Sequence, residues 1–321
     1  MRLAFCAQHS YYGGLSPNGG SRTILLCCEA LRKLGHCADV VTFSDKFHWF
    51  KHKKPLKKIP PKTDICIACS VSDIKPMLKK MPKHAKAFWY CRLLEKHQMD
   101  KEKIVKYAGK VKTLVNSECL QRWFADRGVK TTVVYQGIDA EKWHDEKIRG
   151  GKKVIGFLLS KKPRKYFKEI KAIVKQLGDK YDYVAYGAKQ DIDADIESFI
   201  SKKVLYFKAN ASHGELLRLY NMAHIWLATS RSEGLHNPPQ EAALCGCALV
   251  CSDARLNGTS DYAIDGETAW TYPAGDIDMA CESIEAATDE RVDAARNKII
   301  TKIGNRTQAM KHLLEVLNEV P

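Results

Sequence analysis

The feature that most constrains this chain is an alternation of short β-branched or aromatic runs with stretches of helical period, made twice in succession over 321 residues. In the first half the predicted strands are Leu3 to Ala7, Ala38 to Phe43, Ile65 to Cys69, Ala87 to Cys91, Thr113 to Asn116 and Thr131 to Tyr135. Between the first two, Ile24, Cys27, Cys28, Leu31 and Leu34 recur at three- and four-residue steps, the inner face of an amphipathic helix. The second half offers Val154 to Leu159, Tyr183 to Tyr186, Val204 to Phe207, Ile225 to Thr229, Leu249 to Ser252 and Thr268 to Tyr272. Phe167, Ile170, Ile173, Val174 and Leu177 mark the helix after the first of these, and Ser212-His213-Gly214-Glu215 is a capping box opening another. Strands alternating with helices call for parallel sheets covered on both faces. The expected fold is therefore α/β, two doubly wound Rossmann-like domains facing a central cleft and joined around Asp145 to Lys152. Residues 1–147 form the first domain and 148–300 the second. The stretch from Arg291 to Val320 reads as helix throughout, and its part in 301–321 is expected to pack back onto the first domain.

Charge separates the two halves. Residues 1–150 carry 29 basic and 14 acidic side chains, whereas residues 151–321 carry 23 of each, so the whole excess of +15 lies in the first half. Within it, residues 46–112 hold 19 basic against 5 acidic side chains, which points that surface at something anionic. With 45% of residues apolar, both halves have enough material for a core, which excludes a disordered tail protein. The apolar run at Leu3 to Ala7 is too short for a signal peptide, and the longest nearly apolar stretch, Ala242 to Cys251, is far below a bilayer span. A cytoplasmic protein is expected. The twelve cysteines lie mostly within apolar runs, as buried thiols do; Cys66 and Cys69 have zinc-ligand spacing but no second pair follows, so no metal site is expected.

Ligands of doubly wound folds sit beyond the carboxyl ends of the strands, so loops after strands are where chemistry is sought. Three stand out. The segment Tyr12 to Arg22 carries four glycines, among them Gly19 and Gly20, that let backbone N–H groups approach a ligand, although the spacing is not that of a dinucleotide-binding loop. Ser160-Lys161-Lys162-Pro163-Arg164-Lys165 places four cations after the first strand of the second half, enough to neutralise a diphosphate. The third loop runs from Ser230 to Ala242: Asn237 suits an N-cap and Pro238 the first helical position, with Glu233 before the helix and Glu241 in its first turn. Two carboxylates there accept hydrogen bonds from paired hydroxyls, such as those of a sugar and a ribose.

The E-x7-E pair of Glu233 and Glu241, followed by Ala242, Gly246 to Val250 and Asp265-Gly266, resembles the donor-binding half of retaining GT-B glycosyltransferases of family 4. Gly19-Gly20-Ser21-Arg22, Leu34-Gly35-His36, Asn116-Ser117, Gly137-Ile138-Asp139 and the stretch from Leu219-Tyr220 to Ser230 extend the resemblance over most of the chain. It implies transfer of a sugar from a nucleotide sugar, a UDP- or GDP-sugar, to an acceptor hydroxyl with retention at the anomeric carbon and without a required metal. It implies that Glu241 holds the donor ribose, that Glu233 with the backbone of Gly234, Leu235, His236 and Asn237 holds the sugar, and that Gly19, Gly20 and the helix at Pro238 favour the leaving diphosphate. Two departures stand out. Ser160 occupies the place of the family's Arg while Lys165 fits its Lys and Tyr166 replaces its Gly, so Lys161 or Arg164 stands in for the missing cation. Where many members place a His after the fourth strand, this chain has Phe88 to Glu95, with Arg92 the candidate and His97 further on.

The resemblance puts the acceptor on the first domain, where the charge lies. Lys46 to Lys58 interleaves aromatics with cations: Trp49 with Lys51, Lys53, Lys54, Lys57 and Lys58 are the candidate acceptor contacts, and Lys75 to Lys86 adds five more lysines. Cations neutralise phosphates and aromatics stack on bases, which favours a nucleic acid, such as DNA carrying a hydroxymethylated base. The alternative is docking on an anionic membrane surface to reach a lipid or lipid-linked glycan. A sugar-nucleotide 2-epimerase or a non-catalytic binding protein are the alternatives of other classes. Oligomeric state is not legible.

Overall fold

The structure, a computed structural model, describes residues 1–7, 15, 19–45, 51–95 and 99–319, and the chain forms two compact units. The first comprises Met1–Ile138 with Gly304–Pro321, the second Asp139–Ile303. In the first unit, β1 (Arg2–Cys6), β2 (Cys37–Val41), β3 (Ile65–Ala68), β4 (Lys86–Cys91), β5 (Lys112–Val115) and β6 (Thr131–Val133) form one parallel sheet in the order β2-β1-β3-β4-β5-β6. The crossovers are α1 (Gly19–Lys33), α2 (Val71–Lys80), α3 (Lys101–Ala108) and α4 (Glu118–Ala125). Their starts are written in the sequence: Asp100 accepts from Lys103 N at 2.8 Å and Ser117 from Leu120 N at 3.4 Å, each satisfying a donor that the helix leaves open.

The second unit repeats the design. Its sheet is built from β7 (Val154–Leu159), β8 (Asp182–Gly187), β9 (Tyr206–Ala209), β10 (Ile225–Ala228), β12 (Ala248–Asp253) and β14 (Trp270–Pro273), in the order β14-β12-β10-β7-β8-β9. A separate two-stranded ladder pairs β11 (Ser232–Glu233) with β13 (Leu256–Asn257). The covering helices are α5 (Phe167–Leu177), α6 (Ala194–Lys203), α7 (His213–Met222), α8 (Asn237–Leu244), α9 (Ile277–Ala286) and α10 (Val292–Lys298). The apolar stripe of α5, Ile170, Ile173, Val174 and Leu177, packs with Ile155, Phe157 and Leu159 of β7 in one core. Burying each such side chain contributes about 1.5–3 kcal/mol. The capping box at Ser212 and Glu215 is present and opens α7.

Two stretches differ from the sequence reading. The end of the chain is not one helix: α10 passes into a π-turn over Ile299–Ile303, and α11 (Arg306–Asn318) starts anew after Gly304. The cause is local, a second capping box in which Asn305 accepts from Gln308 N at 2.9 Å while Gln308 accepts from Asn305 N at 3.1 Å. Helix α11 gives Met310, Leu313 and Leu317 to the core of the first unit, beside Ile24 and Leu31 of α1. The second stretch is 139–150, a joint by composition, which is bound into the second unit. Asn221 accepts from Glu146 N at 2.7 Å and donates to His144 O at 3.0 Å. Arg149 pairs with Asp145 at 2.9 Å and donates to Tyr220 O at 3.2 Å.

Candidate active site

In the second sheet β8 and β9 lie on one side of β7, and β10, β12 and β14 on the other. The chain therefore leaves β7 and β10 in opposite directions, and the loops after these two strands diverge around the crevice in which such folds bind ligands. Those loops are Ser160–Lys165 and Thr229–His236, the two that the sequence singles out in this half. They are joined by backbone: Arg231 N donates to Arg164 O at 2.9 Å, and Thr229 Oγ1 donates to Lys165 O at 2.8 Å. The join sets Lys165 Nζ 2.6 Å from Glu233 Oε1, and the same oxygen receives Nη1 of Arg164.

This is a buried cluster of two cations on one carboxylate, with His236 beside it. Lys165, Glu233 and His236 are all buried. Burial alone would raise the Glu233 carboxyl, but Lys165, Arg164 and His236 outweigh it and hold the group well below the usual carboxylate range. Burial lowers Lys165, and the Arg164 charge lowers it further against the pull of Glu233. Burial and the neighbouring Lys165 push His236 down to about 3, so its imidazole is neutral near pH 7. The cluster thus carries a net positive charge in a dry setting, where an anion is worth far more than at an exposed surface.

The loop from Ser230 to His236 is held from beneath. Asn257 Nδ2 donates to Ser230 O at 2.8 Å, Gln240 Nε2 to Leu235 O at 3.1 Å and Tyr262 OH to His236 O at 2.7 Å. A Cβ on Gly258 would collide with the carbonyl of Gly234, so only glycine lets these backbones pass. Here the helix start differs from the sequence reading. Helix α8 begins at Asn237 itself, His236 occupies the cap position with φ 55°, and no side chain caps the helix. Pro238 is consequently its second residue and Glu241 its fifth, beyond the first turn. The buried Glu241 accepts a hydrogen bond from Tyr220 OH at 2.9 Å, and Tyr220 OH lies 3.1 Å from Tyr186 OH. A helix and a strand thereby fix the rotamer of this carboxylate.

The four cations after β7 do not act as one group. Asp191, from the loop after β8, pairs with Lys162 at 2.7 Å, accepts from Ser160 Oγ at 3.2 Å, and through its carbonyl accepts from Lys161 N at 2.8 Å. Lys161 is exposed. Of the two residues offered for the place vacated at Ser160, Arg164 is the one that touches Glu233, and its side chain remains 30% exposed. Tyr166 has φ 52°, a left-handed conformation that explains why glycine would suit this position.

In the first unit Arg92 follows β4 and donates from Nη1 to Gly20 O at 2.6 Å and from Nη2 to Cys69 O at 3.3 Å. It ties the start of α1 to the end of β3. Gly19 and Gly20 are exposed at that helix start. Glu95, which the sequence reading passed over, accepts from Val71 N at 2.6 Å, and burial with Asp73 nearby raises its carboxyl to about 8 against the opposing Arg92. Lys51, Lys53, Lys54, Lys57 and Lys58 are exposed; Lys53 pairs with Asp39 at 2.6 Å and Lys57 donates to Phe43 O at 2.7 Å. Lys46, Trp49 and His97, with Tyr12 and most of its loop, lie outside the described residues. All twelve cysteines are free thiols, and only Cys37 is exposed. Among the described residues no cluster of three or more His, Cys, Asp or Glu is placed to hold a metal ion, and no helix is long and apolar enough to cross a membrane.

Sequence alone would have found some of the supporting residues only with difficulty. Asp191, Asn257 and Tyr262 carry no motif, and their roles arise from folding that brings distant loops together. The aromatic Tyr220 lay within a quoted stretch, but nothing in its spacing announces a bond to Glu241.

Comparison with known proteins agrees with this fold. Whole-chain structural similarity is found to HepE of Anabaena, solved with UDP and glucose: TM-score 0.78 at 15% identity, covering 100% of both chains. Sucrose-phosphate synthase of Thermosynechococcus elongatus gives a TM-score of 0.79 at 14% identity, covering 99% of this chain and 98% of that one. A glycosyltransferase of Rickettsia africae gives 0.75 at 13% identity, with 99% and 98% covered. At these identities the similarity concerns the fold, which is GT-B with two Rossmann-like parallel-sheet domains. No curated protein matches the chain by sequence. The family model of the glycosyl transferases group 1 matches residues 139–306, more than half of the chain and the whole second unit, and this protein belongs to that family.

Proposed function

We propose that this glycosyltransferase takes a sugar from a UDP- or GDP-sugar and transfers it with retention, as the family 4 enzymes it resembles do. The observation that carries the reading is the buried cluster of Arg164 and Lys165 on Glu233 at the crevice between β7 and β10. A nucleoside diphosphate arriving there meets two cations already positioned, Lys165 buried and Arg164 part-exposed. Glu233, ionised throughout the physiological range, accepts hydrogen bonds from sugar hydroxyls and does not serve as an acid. Glu241, oriented by Tyr220, accepts from the ribose hydroxyls. The structures of HepE with UDP and with UDP-glucose give a precedent for such a donor on this fold.

The bond from the anomeric carbon to the acceptor oxygen forms on the face from which the phosphate oxygen departs, the bond to that oxygen breaks, and the departing oxygen takes the acceptor proton. As that bond breaks its electron pair goes to the departing oxygen, positive charge develops on the sugar ring, and Lys165 and Arg164 stabilise the negative charge that gathers on the diphosphate. Arg92, after β4, takes in this reading the catalytic place that many family members give to a His near the reacting carbon. The acceptor is a hydroxyl on a polyanion, such as a hydroxymethylated base in DNA, docked on the exposed lysines of the first unit.

The test is a radiolabelled transfer assay with UDP- and GDP-sugars, offered in parallel to hydroxymethylated DNA, unmodified DNA and anionic vesicles. Label on the hydroxymethylated DNA alone is expected. Label on vesicles would replace the polyanion by a membrane surface, and conversion of donor without acceptor would identify an epimerase. Replacing Glu241 by Ala is expected to weaken donor binding about 10- to 100-fold, the loss of a charged hydrogen bond, with circular dichroism unchanged.

A further inference from the structure

Tyr166 is the residue after Lys165, and its φ of 52° is a conformation that non-glycine residues avoid. The ring that enforces this cost lies under the guanidinium of Arg231, whose Cζ is 3.4 Å from the ring centroid. Arg231 in turn pairs with the buried Glu169 at 2.9 Å, and Glu169 accepts from Tyr272 OH at 2.8 Å. A Cβ on Gly275 would stand 2.7 Å from Arg231 Nη2, so the loop after β14 leaves room for that guanidinium. Four segments therefore meet on one cation: the turn before α5, α5 itself, the loop after β10 and the end of β14.

We infer that Tyr166 and Arg231 are positioning residues, a clamp that fixes the turn after β7 so that Arg164 and Lys165 face Glu233. The backbone carries the effect. Arg231 N holds Arg164 O, while the Tyr166 N–H closes the turn on Pro163 O at 3.2 Å and its carbonyl accepts from Glu169 N at 2.9 Å. Relaxing Tyr166 toward negative φ would re-aim the two residues before it. The strained residue thus sits next to the cation cluster, where strain held by surrounding contacts is characteristic of functional sites.

This inference rests on the proposed donor site, and the experiment separates the two. Isothermal titration with UDP and with GDP, donor KM and kcat with the UDP- or GDP-sugar that is turned over, and hydrogen exchange over residues 160–169 are measured for the wild type, Tyr166→Gly, Tyr166→Phe and Arg231→Met. Glycine adopts the backbone conformation without strain, so Tyr166→Gly keeps its melting temperature. It is nevertheless expected to exchange faster over this turn and to raise the UDP Kd and donor KM roughly tenfold, the scale of a desolvated cation–π contact, with a smaller change in kcat. Arg231→Met is expected to do the same, and Tyr166→Phe to restore wild-type values. Equal exchange and equal KM in Tyr166→Gly and the wild type would overturn the clamp. A wild type that binds neither UDP nor GDP would overturn the donor assignment instead; faster exchange in Tyr166→Gly alone would then still uphold the clamp, and unchanged exchange would overturn it.

Discussion

The two units share a strand-helix design but handle charge in opposite ways. In the second unit, where basic and acidic residues nearly balance, Lys165, Glu233, Glu241, Glu169 and Asp191 are buried and the contacts of each are set by neighbouring loops. In the first, the excess is carried by lysines that stand in water. A buried set of charges costs desolvation and is specific to one arrangement of a ligand. An exposed set costs little, is screened by salt, and selects for sign of charge more than for shape. The difference teaches that the nearly neutral unit keeps its charges in one buried arrangement, whereas the strongly basic one presents them to water.

The comparison breaks most visibly at Glu233. Replacing it with Gln leaves the buried Lys165 and the part-exposed Arg164 without their carboxylate, and turnover is expected to fall about 10²- to 10³-fold, as for loss of a preorganised electrostatic contact. Loss of folding stability by about 3–5 kcal/mol is expected as well, read from chemical denaturation. An unaffected rate would remove the cluster from the chemistry. A smaller effect is expected in the first unit when Lys53, Lys54, Lys57 and Lys58 are all replaced with Glu. The slope of log affinity for DNA against log salt should become shallower by about three to four, while UDP affinity stays the same. Equal salt slopes for the two proteins would place polyanion contacts elsewhere.

The smallest effect concerns pH. Glu95 keeps its proton up to about 8 in the folded chain, whereas an unfolded chain releases it near its ordinary value of 4.5. The folded state then binds more protons over that window, so this group's contribution to stability declines as pH rises from 4.5 to about 8. His236 acts in the other sense: held neutral down to about 3 against an ordinary 6.5, it costs stability as pH falls through that range. Glu95→Gln is expected to flatten the alkaline side of the stability profile and leave the acid side in place. Thermal melting between pH 4 and pH 9 reads both limbs, and an unchanged alkaline limb would mean that Glu95 releases its proton in the folded state well below 8.

Much of this was legible because local rules decided it. Val154–Leu159 is a strand by composition and by structure, and the stripe of α5 is where the three- and four-residue steps put it. The ladder at β9 sits two residues later than its apolar run suggests, since pairing with β8 sets its register. The site was legible as two loops but not as a contact. That Asp191 would hold Lys162, leaving Arg164 for Glu233, depends on β8 lying beside β7. The start of α8 was misplaced for a related reason: Asn237 favours a cap by itself, but the bonds of Gln240 and Tyr262 to the carbonyl of His236 draw the preceding residue into that position. No rule of spacing would have paired Tyr166 with Arg231.

The return of α11 has a consequence for synthesis. Met310, Leu313 and Leu317 complete the core that Ile24 and Leu31 begin, but they follow the entire second unit in the chain. At about 5–20 residues per second, a ribosome needs roughly ten to thirty seconds to travel from residue 138 to this helix. By the end of that interval the second unit has all its residues, while its elder neighbour still waits with an open seam along α1. Nascent chains are therefore most exposed to chaperones and to aggregation at the half that was made first.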